Sequence, residues 1–211
     1  MSARRRALVG TVRTMLRLLT HWEVRGWENL PAGGPLIVVF NHIAHLDGPL
    51  VIASLPWEVE IIALSDLYAV PITGWLLRLY GVIAVHRDEF DRDAVRRALE
   101  ALSAGKVLAL SPEARRSAGG TLEQGRAGVG YLALRSGAPL LPIGITGTEA
   151  VITTIKSLRR PRLTINIGPS FRPNGPLARG AARHLQWEAA RHEIMTRIAA
   201  LLPVAYRGYY A

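Results

Sequence analysis

The sequence predicts one α/β domain, with a mostly parallel central sheet flanked by helices and an amphipathic helix at the N-terminus. The chain has 211 residues, of which 49% are hydrophobic. That is enough for one domain with a sizeable core and too few for two. Apolar runs of strand length alternate with helical patterns, and no repeat or linker interrupts them. Such a pattern is typical of a parallel sheet covered on both faces.

Six apolar or β-branched runs have the length of strands. They are Leu36–Phe40, Val59–Leu64, Val82–His86, Val107–Ser111, Leu140–Thr146 and Arg162–Gly168. The clearest helix between them is Asp91–Ala104, which has an acidic first turn, one apolar face and a glycine after its end. Residues 181–202 form a second expected helix. The glycine-rich stretch 125–130 lacks the order of a phosphate-binding loop, and we interpret it as the start of a closely packed helix that reaches Arg135.

The N-terminal segment is basic. Residues 1–25 hold six arginines against one acid, Glu23, and residues 7–20 have apolar side chains at helical spacing. Such a helix can lie in a lipid interface, or it can pack its apolar stripe on the domain core, and both interpretations stay open. We divide the chain into a membrane-associating helix, residues 1–25, and a domain over residues 26–211. No run of the sequence suits a membrane-spanning helix.

The composition limits the ligands and the reaction mechanisms that this chain could have. The net charge is +10, and the basic residues are 24 arginines and 2 lysines. A phosphorylated substrate, an anionic membrane or a nucleic acid would suit this charge, since the guanidinium group binds phosphate with two parallel hydrogen bonds. The absence of cysteine excludes disulfides, thiolate metal sites and a covalent acyl-cysteine intermediate.

A polar cluster directly follows the strand Leu36–Phe40. It contains His42, His45 and Asp47, and ligands in open α/β sheets sit beyond the carboxyl ends of strands. A histidine with a nearby carboxylate can act as a general base, because the acid fixes the tautomer and stabilises the imidazolium. The pair can converge only if the chain turns between them. Two alternatives stay open: a metal site, although the spacing matches no familiar zinc pattern, and a purely structural role.

Further charged residues follow other predicted strands. Arg87 comes after the run that starts at Gly81, and Glu113, Arg115 and Arg116 come after Val107–Ser111. If these strands end at one edge of a parallel sheet, the charged side chains join His42 and Asp47 there. A base beside arginines would suit a phosphorylated substrate whose hydroxyl must lose a proton.

At these residues the chain resembles the glycerolipid acyltransferase family, which includes the 1-acylglycerol-3-phosphate acyltransferases. The resemblance rests on four ordered blocks over roughly residues 25–170. The family's N-H-x4-D block is matched by Asn41, His42 and Asp47; its G-x-I-x-V-x-R block by Gly81, Ile83, Val85 and Arg87; its E-G-T-R-S block in part by Glu113, Arg116 and Ser117; and its P-x-x-P-V block by Pro139, Pro142 and Ile143. Any one block is unspecific, whereas the four together are specific.

The resemblance implies roles for these residues. His42 would be the base and Asp47 its partner, while Arg87, Glu113 and Arg116 would form the set at the phosphate end of the substrate. Glu113 would orient an arginine or a glycerol hydroxyl, or form an ion pair with Arg115 or Arg116. Asn41, Arg115 and Ser117 would support the site.

The resemblance also implies an activity. The expected reaction moves a fatty acyl group from acyl-CoA or acyl-carrier protein to 1-acylglycerol-3-phosphate, giving phosphatidate in phospholipid biosynthesis. No metal or cofactor is expected. The expected location is peripheral, on an anionic membrane surface at the cytoplasmic face, without nucleic acid as a partner.

Two departures from the family blocks affect the acceptor. Ala114 stands where the family usually has glycine and Arg115 where it usually has threonine. Alanine would tighten a turn that needs unusual backbone angles, and Arg115 would add a cation near the phosphate. The alternatives are therefore another lysolipid or a glycolipid as acceptor and, from a different class, a basic nucleic-acid-binding protein.

Overall fold

The centre of the fold is the strand Leu36–Phe40, whose five residues are all buried. The computed structural model describes residues 2–86, 91–173, 180 and 182–211. The strands are β1 His21–Arg25, β2 Leu36–Phe40, β3 Val59–Leu64, β4 Ile83–Val85, β5 Val107–Leu110, β6 Leu140–Thr146 and β7 Arg162–Ile167. The α-helices are α1 Ala3–Leu19, α2 Asp47–Ser54, α3 Pro71–Tyr80, α4 Arg92–Ser103, α5 Ala127–Ser136, α6 Val151–Lys156 and α7 Ala182–Ala200.

The strands form one seven-stranded sheet in the order β1-β7-β6-β2-β5-β3-β4. All neighbours are parallel except β6 and β7, which are antiparallel. Helices cover both faces, so the predicted α/β fold with a mostly parallel sheet is confirmed. All six predicted strands are present, and their ends differ from the prediction by one residue at most.

Strand β1 was missed by the sequence analysis. Its residues alternate between exposed and half-buried side chains, and it pairs only with β7 at one edge of the sheet. An edge strand that presents Trp22 and Val24 to the core and charged residues to solvent lacks the continuous apolar run of a central strand. The predicted N-terminal segment 1–25 therefore contains this strand as well as helix α1.

The two faces of the sheet carry separate cores. One core packs α1, α2, α3 and α6 on the sheet, and the other packs α4, α5 and α7 on the opposite face. In α4 the expected apolar face is buried through Ala94, Ala98 and Leu102, and the helix is capped by the Asp91 side chain, which accepts a hydrogen bond from the Ala94 N–H at 2.9 Å.

Helix α1 packs its apolar side chains on the domain core, which is one of the two placements that its sequence allows. Val9 and Leu16 are buried against the sheet. The Arg13 guanidinium donates to the carbonyls of Ala53 and Leu55 at 2.7 and 2.8 Å. Arg5 binds Glu58 and Glu60 at 2.8 and 2.9 Å. These two arginines thus join α1 to the domain. Among the described helices, none is both long and apolar enough to cross a bilayer.

The contact between α5 and α7 depends on a glycine. A Cβ at Gly130 would overlap the backbone carbonyl of Trp187 in α7, whereas a Cβ at Gly128, two residues earlier in α5, would meet nothing within 4 Å. The expectation that glycines in this stretch permit close packing is therefore met at Gly130.

This difference gives a matched pair of substitutions. We expect Gly130→Ala to lower the free energy of unfolding by about 2 kcal/mol or more, because the helices must separate. Gly128→Ala should raise it by about 0.5–1 kcal/mol, because alanine favours a helix over glycine. Urea unfolding measures both changes, and equal effects of the two substitutions would contradict this account of the packing.

Candidate active site

The polar cluster at the end of β2 brings His42 and Asp47 together. Asp47 is the first residue of α2, and the chain turns in front of it, where the Asp47 N–H donates to the Ala44 carbonyl at 3.1 Å. Through this turn the His42 Nδ1 lies 2.8 Å from Oδ2 of Asp47. The sequence requires such a turn for the pair to meet, and the structure provides it at the strand-to-helix junction.

The Asp47 carboxylate is completely buried, at 0% exposure. Oδ2 also accepts the backbone N–H groups of Ile43 and Ala44, both at 2.7 Å. Oδ1 accepts the hydroxyl of Thr148 at 2.5 Å. Four donors therefore satisfy the carboxylate and fix its orientation toward the imidazole.

This arrangement defines what His42 can do. With Nδ1–H donated to Asp47, the lone pair of the neutral ring lies on Nε2, which can take a proton from a substrate. The His42 side chain is 23% exposed, so a substrate can reach it. Its ring packs edge-on against Phe40, with centroids 6.3 Å apart. His45 is exposed and does not bind Asp47.

Two more side chains tie the end of β2 to β6. The Asn41 amide donates to the carbonyl of Ile145 at 2.9 Å and accepts its N–H at 2.7 Å. Thr148, which follows β6, contributes the hydroxyl on Asp47. Asn41 belongs to the predicted set, whereas sequence reasoning missed Thr148. The signal for it is weak: a lone polar residue just beyond a strand that neighbours β2.

Glu113 supports His42 through the backbone. One carboxylate oxygen accepts the His42 N–H at 3.0 Å and the other accepts the Glu123 N–H at 2.9 Å. The residue is only 2% exposed. Burial raises the pKa of Glu113 to about 7, against the opposing effect of the two N–H donors. The expected ion pair of Glu113 with Arg115 is not formed, because Arg115 binds Glu123 instead, at 2.6 Å.

The segment after Glu113 runs beside His42. The Ser117 N–H donates to the His42 carbonyl at 2.8 Å, and the Ser117 hydroxyl donates to the Thr121 carbonyl at 2.6 Å. Arg116 is exposed and has no hydrogen bond or ion pair within the described part of the chain. Ser117 therefore keeps Arg116, the residue before it in the chain, close to the backbone of His42. Arg87 lies outside the described residues, so its predicted place in the site stays a prediction.

Ala114 adopts the left-handed backbone conformation expected at a position where the family usually has glycine. Its φ is +56°, in the left-handed region, where glycine carries no penalty and other residues lose roughly 1 kcal/mol. The turn between the end of β5 and Arg115 therefore has the geometry of a glycine turn, although alanine occupies it.

The buried carboxyl of Glu113 makes stability depend on pH. Its pKa is about 7 when folded and 4.5 ordinarily, so between these values the folded state keeps a proton that the unfolded state has lost. The stabilising contribution is complete below about pH 4.5 and is lost as the pH rises through about 7. Relative to Glu113→Gln, the unfolding free energy of the wild type should fall by about 3 kcal/mol across this window. Urea unfolding at several pH values tests this, and parallel profiles would refute it.

Comparison with known proteins identifies relatives of this chain. The family model described as Acyltransferase matches residues 21–146. A chloroplast 1-acyl-sn-glycerol-3-phosphate acyltransferase of Brassica napus is 29% identical over 135 residues, which cover 63% of this chain and 39% of the relative. An enzyme of the same name from Borreliella burgdorferi is 29% identical over 128 residues, 60% of this chain and 51% of the relative.

Other relatives extend the match. An uncharacterized protein of Mycobacterium bovis is 30% identical over 171 residues, 71% of this chain and 46% of the relative. The crystal structure of the 1-acyl-sn-glycerophosphate acyltransferase PlsC from Thermotoga maritima shares the fold, with a TM-score of 0.64 at 24% identity over 90% of this chain and 79% of that one. The chain spans about 40–50% of the length of these curated relatives. By the extent of the family match, the chain belongs to the glycerolipid acyltransferase family.

Proposed function

We propose that the chain transfers a fatty acyl group from a thioester, acyl-CoA or acyl-carrier protein, to the hydroxyl of 1-acylglycerol-3-phosphate, giving phosphatidate. The observation that carries this proposal is the His42–Asp47 pair at the end of β2. A buried carboxylate holds Nδ1 at 2.8 Å, and the side chain remains accessible. Membership of the acyltransferase family supports the reaction class.

The chemistry needs one base. A thioester is already activated, so the acceptor hydroxyl can attack its carbonyl carbon directly as Nε2 of His42 takes the hydroxyl proton. The tetrahedral intermediate then collapses, the carbon–sulfur bond breaks, and the imidazolium returns the proton to the thiolate. Asp47 stabilises the imidazolium while it exists. No protein nucleophile is required, in keeping with a chain that contains no cysteine.

The phosphate of the acceptor is assigned to Arg116, with Arg87 as its predicted partner. Arg116 is exposed, lies next to the residue that binds the His42 carbonyl, and has no ion pair within residues 2–86 and 91–173. Glu113 acts by holding the backbone of His42, through the 3.0 Å bond to its N–H. A guanidinium free of internal partners can bind a phosphate monoester with two hydrogen bonds.

Arg115, which stands where the family usually has threonine, has little effect on the binding of this acceptor. The Arg115 guanidinium binds Glu123 at 2.6 Å, so its charge is compensated inside the loop and adds little to the attraction for phosphate. The departure at Arg115 therefore gives no reason to replace the phosphate-bearing acceptor by another lysolipid or a glycolipid. An acceptor panel with one acyl donor, read by mass spectrometry of the products, separates these possibilities.

We further propose that the chain works peripherally at an anionic membrane surface, on the cytoplasmic face. Both the acceptor and the product carry acyl chains that partition into lipid. The strongly basic composition, +10 in net charge, supports attraction to anionic headgroups.

The two histidines of the cluster provide the first test. We expect His42→Ala to lower kcat for acyl transfer by about 10²–10⁴-fold, because the general base is lost. His45→Ala is the matched control, since His45 is exposed and does not bind Asp47; its kcat should stay within about twofold of wild type. Undiminished turnover by His42→Ala would remove His42 as the base.

The two neighbouring arginines provide the second test. Arg116→Gln should raise KM for the phosphate-bearing acceptor by about tenfold, because one charge-assisted contact is lost. Arg115→Gln should change it by about threefold or less, because Arg115 is paired with Glu123. Steady-state kinetics with varied acceptor gives both values, and a larger effect at Arg115 would reverse the assignment.

A further inference from the structure

Three helix ends present large apolar side chains to solvent. The end of α1 exposes Met15, Leu18 and Leu19; the start of α3 and the residue before it expose Val70, Ile72, Trp75 and Leu76; and α6 with the turn after it exposes Ile152, Ile155 and Leu158. We refer to these ten side chains as the apolar rim. Leu158 is 98% exposed and Ile72 is 75% exposed, so both would be unfavourable in water without a covering partner.

The apolar rim lies at the edge of the sheet where His42 lies. Strands β2, β3 and β6 are parallel within the sheet, and all end at this edge. Helix α3 begins shortly after β3 ends, and α6 begins shortly after β6 ends. Strands β1 and β7 run in the opposite direction, so β1 starts at this edge, directly after α1 has ended there. All three parts of the rim therefore lie at the edge of the sheet where β2 ends.

The apolar rim also belongs to one helical layer. Helices α1, α3 and α6 pack on the same face of the sheet. On the other face, α4, α5 and α7 expose a single large apolar side chain within their described residues, Leu185, at 73%. Of the fourteen large apolar side chains that are exposed among the described residues, ten belong to the rim, and the others are Trp27, Leu185, Val204 and Tyr209.

Basic side chains accompany the rim. Arg17, Lys156 and Arg159 are exposed beside it. Arg160 links two of its parts, because its guanidinium donates to the carbonyls of Arg17 and Thr20 at 2.6 Å. Apolar side chains bordered by cations fit the boundary between acyl chains and anionic headgroups, where each basic residue strengthens binding about fivefold.

We infer that the apolar rim is the surface that enters an anionic bilayer and that it brings His42 to the lipid. Helix α1 takes part through its carboxyl end, while two of its other arginines, Arg5 and Arg13, bind the domain. The inference rests on the proposed function in one respect, that the substrate comes from lipid. A hydroxyl in the headgroup region then reaches the base without leaving the membrane.

Site-specific labelling tests the inference cleanly, because the chain has no cysteine of its own. Single variants Ile72→Cys, Leu158→Cys and Leu185→Cys would carry an environment-sensitive fluorophore and would be mixed with vesicles of phosphatidylcholine and phosphatidylglycerol. We expect a blue shift at positions 72 and 158 and none at 185, which has nearly the same exposure on the opposite layer. A response at 185 equal to that at 72 would overturn the inference.

A second variant pair tests the energetics. The double substitution Ile72→Glu with Trp75→Glu should lower partitioning onto these vesicles at least about tenfold, because two apolar anchors are lost and two like charges are added. Leu185→Glu should lower it by about twofold or less. Equal binding by wild type and the double variant would overturn the inference, as would equal binding to vesicles that contain phosphatidylcholine alone.

Two measurements distinguish a failure of this inference from a failure of the proposed function. Acyl transfer to a water-soluble short-chain acceptor, without vesicles, should be preserved in the double variant and lost in His42→Ala. Loss of that activity in the double variant would count against a docking role. Sedimentation without vesicles tests whether a second copy of the chain covers the rim: a dimer that the double variant abolishes would overturn the assignment to lipid.

Discussion

A carboxylate with no exposure to water needs donors for both of its oxygens, and Asp47 obtains them from two parts of the chain. His42 and the two N–H groups after it come from the end of β2, and Thr148 comes from the turn after β6. Asp47 itself begins α2. One buried acid therefore fixes the end of the central strand, the start of a helix and the end of a neighbouring strand. The position of the His42 ring follows from this arrangement.

The backbone of His42 is held from the other side by the loop that follows β5. Glu113 accepts its N–H and Ser117 donates to its carbonyl. A single residue is thus bound through its ring by the start of α2, and through its N–H and its carbonyl by the loop after β5. Such rigidity would suit the role of general base proposed for His42, because misplacement of a catalytic group by about 1 Å can cost about a hundredfold in rate.

The same sheet topology that builds the site also determines what surrounds it. Because β1 and β7 run against the other strands, the end of α1 and the whole of α6 reach the edge where His42 lies. The apolar rim is then a consequence of chain direction, since helix ends on one layer are brought to the sheet edge where His42 lies. The proposed chemistry on a lipid would need a base and an apolar surface at the same edge of the sheet, which is where this topology brings His42 and the apolar rim.

The sequence by itself determined the α/β class, six of the seven strands and the presence of a polar cluster at the end of β2, with Asn41, His42 and Asp47, because continuous apolar runs and polar strand ends are local patterns. It also located the strained turn at Ala114. Only the tertiary structure decided how charges are paired: Glu113 binds backbone, Arg115 binds Glu123, and Arg5 and Arg13 join α1 to the domain. Strand β1 and Thr148 were missed for different physical reasons. The side chains of β1 are half-buried on one face and exposed on the other, so β1 lacks a continuous apolar run. Thr148 gains its role from a partner 101 residues away, which no local pattern records.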